Sequence, residues 1–287
     1  MFLELSIRFP NLGIEIHDLG QSFSIFGIDI AYYGIIIAIS MLVGFLVVSW
    51  QAKRTNQNTE TYLDFAVIAI VLSVIGARVY YVIFNWSIYE DNPLLVFNLR
   101  NGGIAIYGGV ITACITAFVY CRIKKMNFWL LCDTSVLGLL TGQIIGRWGN
   151  FFNREAFGGY TDNVFAMQLL KNEVNKSDIT SEMLDHVTWI EGHQYIQVHP
   201  TFLYESMWNL GLLILLILYS KHKRVDGEIA ALYLIGYGVG RLWIEGLRTD
   251  QLMLWGTSLP VSQVISGVAI LAGIVIIAYQ NRKKAIK

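Results

Sequence analysis

The residues best suited to chemistry lie where an apolar segment ends near the middle of the chain. Residues 146–158 read Gly-Arg-Trp-Gly-Asn-Phe-Phe-Asn-Arg-Glu-Ala-Phe-Gly and follow mostly apolar or small residues. The polar groups of interest are Arg147, Asn150, Asn153 and Glu155. Arg147 alone could extend its guanidinium to lipid head groups. With these neighbours, we expect it to face a protein interior or wet cavity, as charges near a membrane boundary normally do.

A second polar group interrupts a later apolar segment. Arg241, Glu245 and Arg248 are spaced i, i+4 and i+7, so a helix places them on one face. An intramembrane ion pair between Arg241 and Glu245 is one interpretation, but it neutralises one arginine only. We expect Glu155 to pair with one of the remaining arginines, Arg147 or Arg248, and a bound phosphate with the other. Because the arginine fork fits a phosphodiester, an anionic phospholipid is the favoured ligand.

Composition places these residues in a membrane protein. The 287 residues are 55% hydrophobic and only 15% charged, with a mean hydropathy of +0.51, whereas about a quarter of an ordinary soluble domain is charged. The net charge of zero gives no basic field for nucleic acid. Cys114, Cys121 and Cys132 lack the close pairing of a metal or redox motif. We interpret them as small buried hydrophobes rather than as a catalytic thiol.

Seven apolar stretches are long enough, at about 20 residues, to cross the hydrocarbon core as helices. They are 28–50, 63–84, 104–121, 128–148, 201–219, 228–247 and 259–279. Lipid requires each backbone amide to bond within its own segment, which favours helices. The predicted fold is therefore an all-α polytopic membrane protein, with residues 1–287 forming a single membrane domain. Residues 1–29 lack the basic start and apolar core of a signal peptide, so we expect no cleavage there.

The distribution of basic residues predicts the orientation. One set of loops holds Lys53, Arg54, Arg122, Lys124, Lys125, Lys221, Lys223, Arg224, Arg282, Lys283, Lys284 and Lys287. The other, much longer set holds Arg8, Arg100, Arg154, Lys171, Lys176 and Arg248. Because basic loops stay in the cytoplasm, we expect the N-terminus outside and the C-terminus inside. Residues 146–158 then open onto the outer face.

The one long connection, 154–200, predicts a small extracytoplasmic head at 156–199 between spans four and five. Loops of this length usually carry function or structure of their own, and 195–198 alternates like a short strand. A flexible insertion is the alternative. The spacing of His186, His193 and His199 matches no common zinc motif. We therefore expect no metal site.

Residues 146–158 resemble the signature of the prolipoprotein diacylglyceryl transferases, Gly-Arg-x-Gly-Asn-Phe-x-Asn-x-Glu-x-x-Gly, at every specified position. Tyr33-Gly34 in the first span and His199, Pro200, Thr201, Leu203, Tyr204 and Glu205 at the re-entry into the membrane also resemble the family. The resemblance implies that Arg147 binds phosphatidylglycerol and that Arg241 is a second essential arginine. Glu245 and Arg248 complete a polar triplet with Arg241 that is similar to that of the sixth span in the family.

The implied reaction transfers diacylglyceryl from phosphatidylglycerol to the lipobox cysteine of a prolipoprotein signal peptide, in the bacterial inner membrane. Arg147 and Arg241 would stabilise the thiolate and the departing phosphate. The other implied roles are head-group binding by Asn150 and Asn153, substrate binding by Tyr33, Glu245 and Arg248, arginine orientation or proton acceptance by Glu155, and a tight turn at Gly158. Neither a metal nor an organic cofactor is expected.

Tyr107 departs from the family pattern, because many members carry histidine at this position as a candidate general base. A tyrosine, with an ordinary pKa of about 10, is a poor base at pH 7. We expect Tyr107 to orient substrate by a hydrogen bond; an interfacial tyrosine without that role is the alternative. The glycines around it, Gly102, Gly103, Gly108 and Gly109, are typical of close helix packing.

Two other classes of function also accommodate arginines inside a helical bundle. An anion transporter or channel is one, and a phospholipid-binding membrane protein without catalysis is the other. Neither requires the signature at 146–158, which favours the transferase.

Overall fold

A computed structural model describes residues 5–98 and 102–286, which are mainly helical. The helices are α1 (Tyr32–Arg54), α2 (Thr59–Phe84), α3 (Ile106–Lys124), α4 (Phe128–Asn153), α5 (Ser181–Asp185), α6 (Thr201–Tyr219), α7 (Glu228–Leu247) and α8 (Val261–Ile286). The strands are β1 (Leu5–Phe9), β2 (Ile14–His17), β3 (Ser22–Ile25), β4 (Ile28–Ala31), β5 (Met167–Leu170), β6 (Thr188–Ile190) and β7 (His193–Val198). The prediction of an all-α fold is therefore wrong in part, since short strands flank the helices.

Among the described residues, six helices are long and apolar enough to cross a membrane: α1 to α4, α6 with its extension to His222, and α8. Six of the seven predicted spans are thereby supported. The remaining predicted span, 228–247, forms helix α7 with the predicted bounds. It carries Arg241 and Glu245 and is not among the six helices that are long and apolar enough. It packs against α6 and α8.

Two of the helix boundaries that differ from those expected from hydropathy bear on the site. Residues 28–31 form strand β4, paired with β3, so α1 begins only at Tyr32. Helix α4 does not end at Trp148 but continues to Asn153, because backbone hydrogen bonds carry the helix past the end of its apolar stretch. Arg147, Asn150 and Asn153 consequently lie on successive turns of one helix.

The predicted head contains a five-stranded antiparallel sheet in the order β2-β1-β5-β7-β6. The predicted strand at 195–198 is confirmed as part of β7. In the middle of the sheet, Leu169 is opposite Ile7 on one side and Ile196 on the other. Strands β1 and β2 thus add N-terminal residues to the structure expected for 156–199 alone.

The sheet is fixed to the helices by a shared apolar core. Ile7, Leu169 and Ile196 are fully buried and belong to one cluster with Phe157 and Phe202. Phe202 begins α6 and Phe157 follows α4, so burial of these rings holds the sheet over the helix ends that carry the signature residues.

The chain divides into two compact units. One contains the residues up to Gly44 and from Val136 onward, and the other runs Phe45–Ser135. In the second unit, α2 and α3 pack closely at glycines: a Cβ on Gly108 would lie 2.6 Å from the carbonyl oxygen of Gly76. This confirms the close approach predicted for Gly108.

Candidate active site

One carboxylate joins the two arginines singled out in the sequence. Glu205 Oε1 lies 2.6 Å from Arg147 Nη2, and its Oε2 lies 2.9 Å from Arg241 Nη1. The Glu205 side chain is only 3% exposed, whereas that of Arg147 is 22% exposed. The bridge therefore ties α4, α6 and α7 together and leaves Arg147 partly accessible from outside.

Further contacts fix the position of Arg147. Tyr237 of α7 interacts electrostatically with its guanidinium, and Nη1 donates to Asn150 Oδ1 at 3.4 Å. Gly149 lets Tyr33 of α1 pack closely beside this turn of α4, because a Cβ on Gly149 would lie 2.7 Å from the Tyr33 ring. Tyr33 thus packs against the turn of α4 that follows Arg147, and its role in substrate binding stays a prediction.

The charged cluster continues along the end of α7. Arg241 pairs with Glu245, as the spacing predicts, and Arg248 Nη1 lies 3.9 Å from the same carboxylate. Arg248 also forms a two-point contact with Asp250, at 2.8 and 2.6 Å. Burial would raise the pKa of Asp250, but the hydrogen bonds and charge of Arg248 outweigh this effect and hold the pKa below its ordinary value.

The expectation that Glu155 pairs with Arg147 or Arg248 is wrong for the described residues. Glu205 pairs with Arg147, and Asp250 pairs with Arg248. Three arginines and three carboxylates therefore balance in the cluster. A phosphate that enters must compete with Glu205 or bind the partly exposed side of Arg147.

Glu155 contacts amides rather than arginines. Its Oε1 accepts hydrogen bonds from Asn150 Nδ2 at 2.8 Å and from Asn153 Nδ2 at 3.3 Å. No salt bridge joins it to an arginine within residues 5–98 and 102–286. Because Asn150 also accepts from Arg147, Glu155 orients the arginine only through that amide.

Gly158 lies where three segments meet. Its N–H donates to the His199 carbonyl at 3.0 Å, and Gly159 N–H donates to the Leu247 carbonyl at 2.9 Å. Gly158 also forms a β-bridge with Arg248. A Cβ at Gly158 would lie 2.7 Å from the Leu247 oxygen. Gly158 does not adopt a positive φ, so the glycine provides space for close approach instead of the tight turn that was expected.

His199 and His186 of the head contact tyrosine side chains. His199 Nδ1 lies 3.3 Å from the Tyr204 hydroxyl, to which Asn163 donates at 2.9 Å. His186 stacks on Tyr160. Burial lowers the pKa of His199, which favours its neutral form at pH 7.

Tyr107 lies in the other unit, in the first turn of α3, and is half-buried. Its role stays a prediction. Nearby in the same unit, the buried Arg78 donates five hydrogen bonds of 2.7–3.0 Å to the carbonyls of Leu95, Val96, Asn98, Gly102 and Gly103. Arg78 therefore holds the segment that leads into α3.

The main residue missed as a site residue is Glu205. It was noted as part of the re-entry block of residues, but not as the partner of Arg147 and Arg241. Its signal was a carboxylate within an apolar helix, which needs a cationic partner when it is buried. The register of three helices, which the sequence alone does not give, decides that the partners are these two arginines.

The chain is similar over most of its length to one family of known proteins. A family model described as prolipoprotein diacylglyceryl transferase matches residues 21–279. A phosphatidylglycerol–prolipoprotein diacylglyceryl transferase of Clostridioides difficile (strain 630) is 42% identical over 262 residues, covering 91% of this chain and 95% of the relative. Proteins of the same name from Clostridium novyi (strain NT) and Finegoldia magna (strain ATCC 29328) are 42% and 40% identical, covering 91% and 93% of this chain and 96% and 97% of their own lengths.

The matched range contains the whole arginine cluster, from Tyr33 to Asp250, and strands β3 to β7, whereas β1 and β2 precede it. The chain belongs to the prolipoprotein diacylglyceryl transferase family.

Proposed function

We propose that this protein transfers the diacylglyceryl group of phosphatidylglycerol to the lipobox cysteine of a prolipoprotein signal peptide. The names of the relatives supply the two substrates. The observation that carries the proposal is the bridge from Arg147 through Glu205 to Arg241, which fixes two guanidinium groups together at the end of apolar helices.

The phosphate of the lipid binds on the partly exposed side of Arg147. Glu205 and Tyr237 hold the guanidinium from within the bundle, while Asn150 and Asn153 are positioned by Glu155 at the end of α4. These amides donate to head-group oxygens. Because the cationic groups are fixed before the lipid arrives, they stabilise charge on the phosphate without reorganising during the reaction.

The reaction forms a bond from the cysteine sulfur to a glyceryl carbon and breaks the bond from that carbon to a phosphate oxygen. The phosphate oxygen keeps the electron pair and leaves as glycerol phosphate. The thiol proton is balanced by the released phosphate, whose second pKa of about 6 lies near neutrality. Arg147 and Arg241 raise the thiolate population and stabilise the leaving group. A strong protein base is not needed, and Tyr107 orients a substrate.

The protein lies in the bacterial inner membrane with its site toward the outer face. Large apolar side chains on the six apolar helices are exposed, as lipid-facing residues are. Helix α7 also spans the membrane, as the sixth of seven spans in chain order, because α6 and α8 cover it while its charged residues pair within the protein. The distribution of basic residues supports an extracytoplasmic head and N-terminus and a cytoplasmic C-terminus.

A direct test uses purified protein, radiolabelled phosphatidylglycerol and a lipobox peptide. We expect labelled peptide from the parent protein and a loss of about 100-fold or more in Arg147→Ala and Arg241→Ala. Arg8→Ala removes an exposed ion pair with Glu15 and serves as the control. Near-normal turnover in either of the first two variants contradicts the proposed phosphate site, and anion flux in proteoliposomes without lipidation favours a channel.

Tyr107 and the orientation have separate tests. Tyr107→Phe removes only the hydroxyl, so full activity in this variant contradicts its orienting hydrogen bond. A reporter fused to the C-terminus is expected to be active in the cytoplasm. Extracytoplasmic activity of that reporter contradicts the orientation.

A further inference from the structure

We infer that Gln143 and Asn209 form a second polar site, one helical turn inside the arginine cluster, that binds hydroxyl groups. Together with Tyr233 these residues are called the amide layer. The glycerol hydroxyls of the lipid head or ordered water can supply this chemistry. The first of these sources rests on the function proposed above.

The unusual residue of the amide layer is Asn209. Its side chain is fully buried within α6, at 0% exposure. Neither Oδ1 nor Nδ2 has a hydrogen-bond partner among the described residues. A buried amide without a partner is costly, and such groups in proteins are nearly always satisfied by a protein group, water or ligand. A hydroxyl, which both donates and accepts, satisfies both atoms of the amide.

Gln143 provides the second unsatisfied group. Its Nε2 donates to the Tyr233 hydroxyl at 3.0 Å, while its buried Oε1 has no partner in the described part of the chain. The Tyr233 ring stacks on Tyr237, with centroids 5.5 Å apart. Because Tyr237 also interacts electrostatically with Arg147, the amide layer adjoins the arginine cluster.

Interhelical hydrogen bonds place these groups at the same level. Ser206 Oγ donates to the Ile144 carbonyl at 3.1 Å, which sets α6 against α4. Trp208 Nε1 donates to the Gly236 carbonyl at 2.9 Å, which sets α6 against α7. Asn209 follows Glu205 by one turn, and Gln143 precedes Arg147 by one turn. Both amides therefore lie about 5 Å deeper along the helix axes than the bridge of arginines.

The chemistry of the amide layer fits a neutral hydroxyl and not a charged group. Amides and tyrosines offer both donors and acceptors, but none of the three side chains is ionised at pH 7. A phosphate binds at the arginines, and the hydroxyls attached to it reach the adjoining amides. An ammonium head group meets no carboxylate within the amide layer.

X-ray hydroxyl-radical footprinting of the full-length protein in nanodiscs tests the site without requiring turnover. Radiolysis of bound water labels the side chains in contact with it. We expect Tyr233 to be labelled well above Tyr62 and Tyr195, which are also buried but pack in other cores. Asn209→Leu, of similar size, is expected to lower this labelling. Gln51→Leu, which changes a buried amide in the other unit, is the matched control.

Lipid variation separates the two sources of the hydroxyl. Phosphatidylpropanol has the same phosphodiester but lacks the head-group hydroxyls. If the head group enters the amide layer, phosphatidylglycerol lowers Tyr233 labelling and phosphatidylpropanol does not. Asn209→Leu then reduces the preference for phosphatidylglycerol over phosphatidylpropanol by about fivefold, which corresponds to the loss of one neutral hydrogen bond. If water alone occupies it, labelling is the same in both lipids and the preference is unchanged.

Two results together overturn the inference. In the parent protein, Tyr233 is labelled no more than Tyr62 and Tyr195, and in Asn209→Leu the lipid preference is unchanged. Failure of the parent protein to transfer diacylglyceryl contradicts the proposed function instead. The labelling result in that case still decides whether the amide layer binds hydroxyl groups.

Discussion

Arg147 on α4 and Arg241 on α7, 94 positions later in the sequence (241 − 147 = 94), share the carboxylate of Glu205, with contacts of 2.6 and 2.9 Å. A carboxylate between two guanidinium groups both neutralises and orients them. The bridge explains how two arginines persist inside an apolar bundle. In the proposed function it also fixes them in place for the phosphate of the lipid.

Replacing Glu205 by Gln should damage both stability and activity. The change keeps the shape but removes the charge, which leaves two mainly buried arginines without their common partner. We expect the free energy of unfolding to fall by roughly 3 kcal/mol and turnover to fall about 100-fold. Thermal unfolding in detergent and the peptide lipidation assay measure the two effects.

Glu182→Gln is the matched control for this prediction, because Glu182 is exposed on α5. A Glu205→Gln variant that unfolds and turns over like the parent would show that the bridge is dispensable.

Gly158→Ala should destabilise the junction of α4, α6 and α7. The new methyl group would lie 2.7 Å from the Leu247 oxygen and 2.8 Å from the His199 Cβ, so backbone segments must move. We expect a loss of about 1–3 kcal/mol in the free energy of unfolding, with reduced activity because Arg248 is displaced.

The neighbouring glycine offers a close control. A Cβ on Gly159 meets nothing within 4 Å and the residue has no positive φ. Gly159→Ala should therefore change the free energy of unfolding by less than about 0.5 kcal/mol. Equal effects of the two substitutions would contradict the close approach at Gly158.

The transmembrane helices were predictable because length and hydropathy decide where a chain can cross a membrane. The exact end of α4 was not predictable in this way, since Asn150 and Asn153 continue the helix beyond its apolar part. Pairing of β1 with β5 joins residues about 160 positions apart, as in Ile7 opposite Leu169. No local pattern indicates such a partner.

The sequence indicated the three arginines of the cluster but not most of their pairings. The i, i+4 spacing was sufficient for the pair of Arg241 and Glu245. The choice among Glu155, Glu205 and Glu245 as partner of Arg147 depends on how the helices pack. The partners were consequently misjudged: Glu155 and a bound phosphate were expected beside Arg147 and Arg248, where the structure has Glu205 and Asp250.

Asp250 should make stability sensitive to acid. Its pKa in the folded protein is lowered, because the contacts with Arg248 outweigh the effect of burial. The unfolded chain therefore binds this proton more readily, and the stabilisation is complete above the unfolded pKa of about 4 and is lost as the pH falls through the folded value. Asp250→Asn should be less stable at pH 7, and its melting temperature should change less between about pH 6 and pH 3 than that of the parent.

Asp162→Asn provides the control for this pH series, because Asp162 is exposed and no arginine pairs with it in the described part of the chain. Its acid response should match that of the parent. An unaltered acid response in Asp250→Asn would mean that other carboxylates determine the loss of stability.

Arg78 should be essential for the segment that precedes α3. Its Nε, Nη1 and Nη2 donate to five backbone carbonyls, including those of Val96 and Gly103. Lysine has three donors on one nitrogen and cannot reproduce this planar fork. Arg78→Lys should therefore leave buried carbonyls unpaired, lower the free energy of unfolding by about 2 kcal/mol and speed proteolysis between α2 and α3. The control is Arg122→Lys at the end of α3, where the guanidinium lies over the Phe118 ring. The segment between α2 and α3 should be cleaved in this variant at the parental rate. Equal cleavage rates in both variants and the parent would show that these hydrogen bonds do not hold the segment.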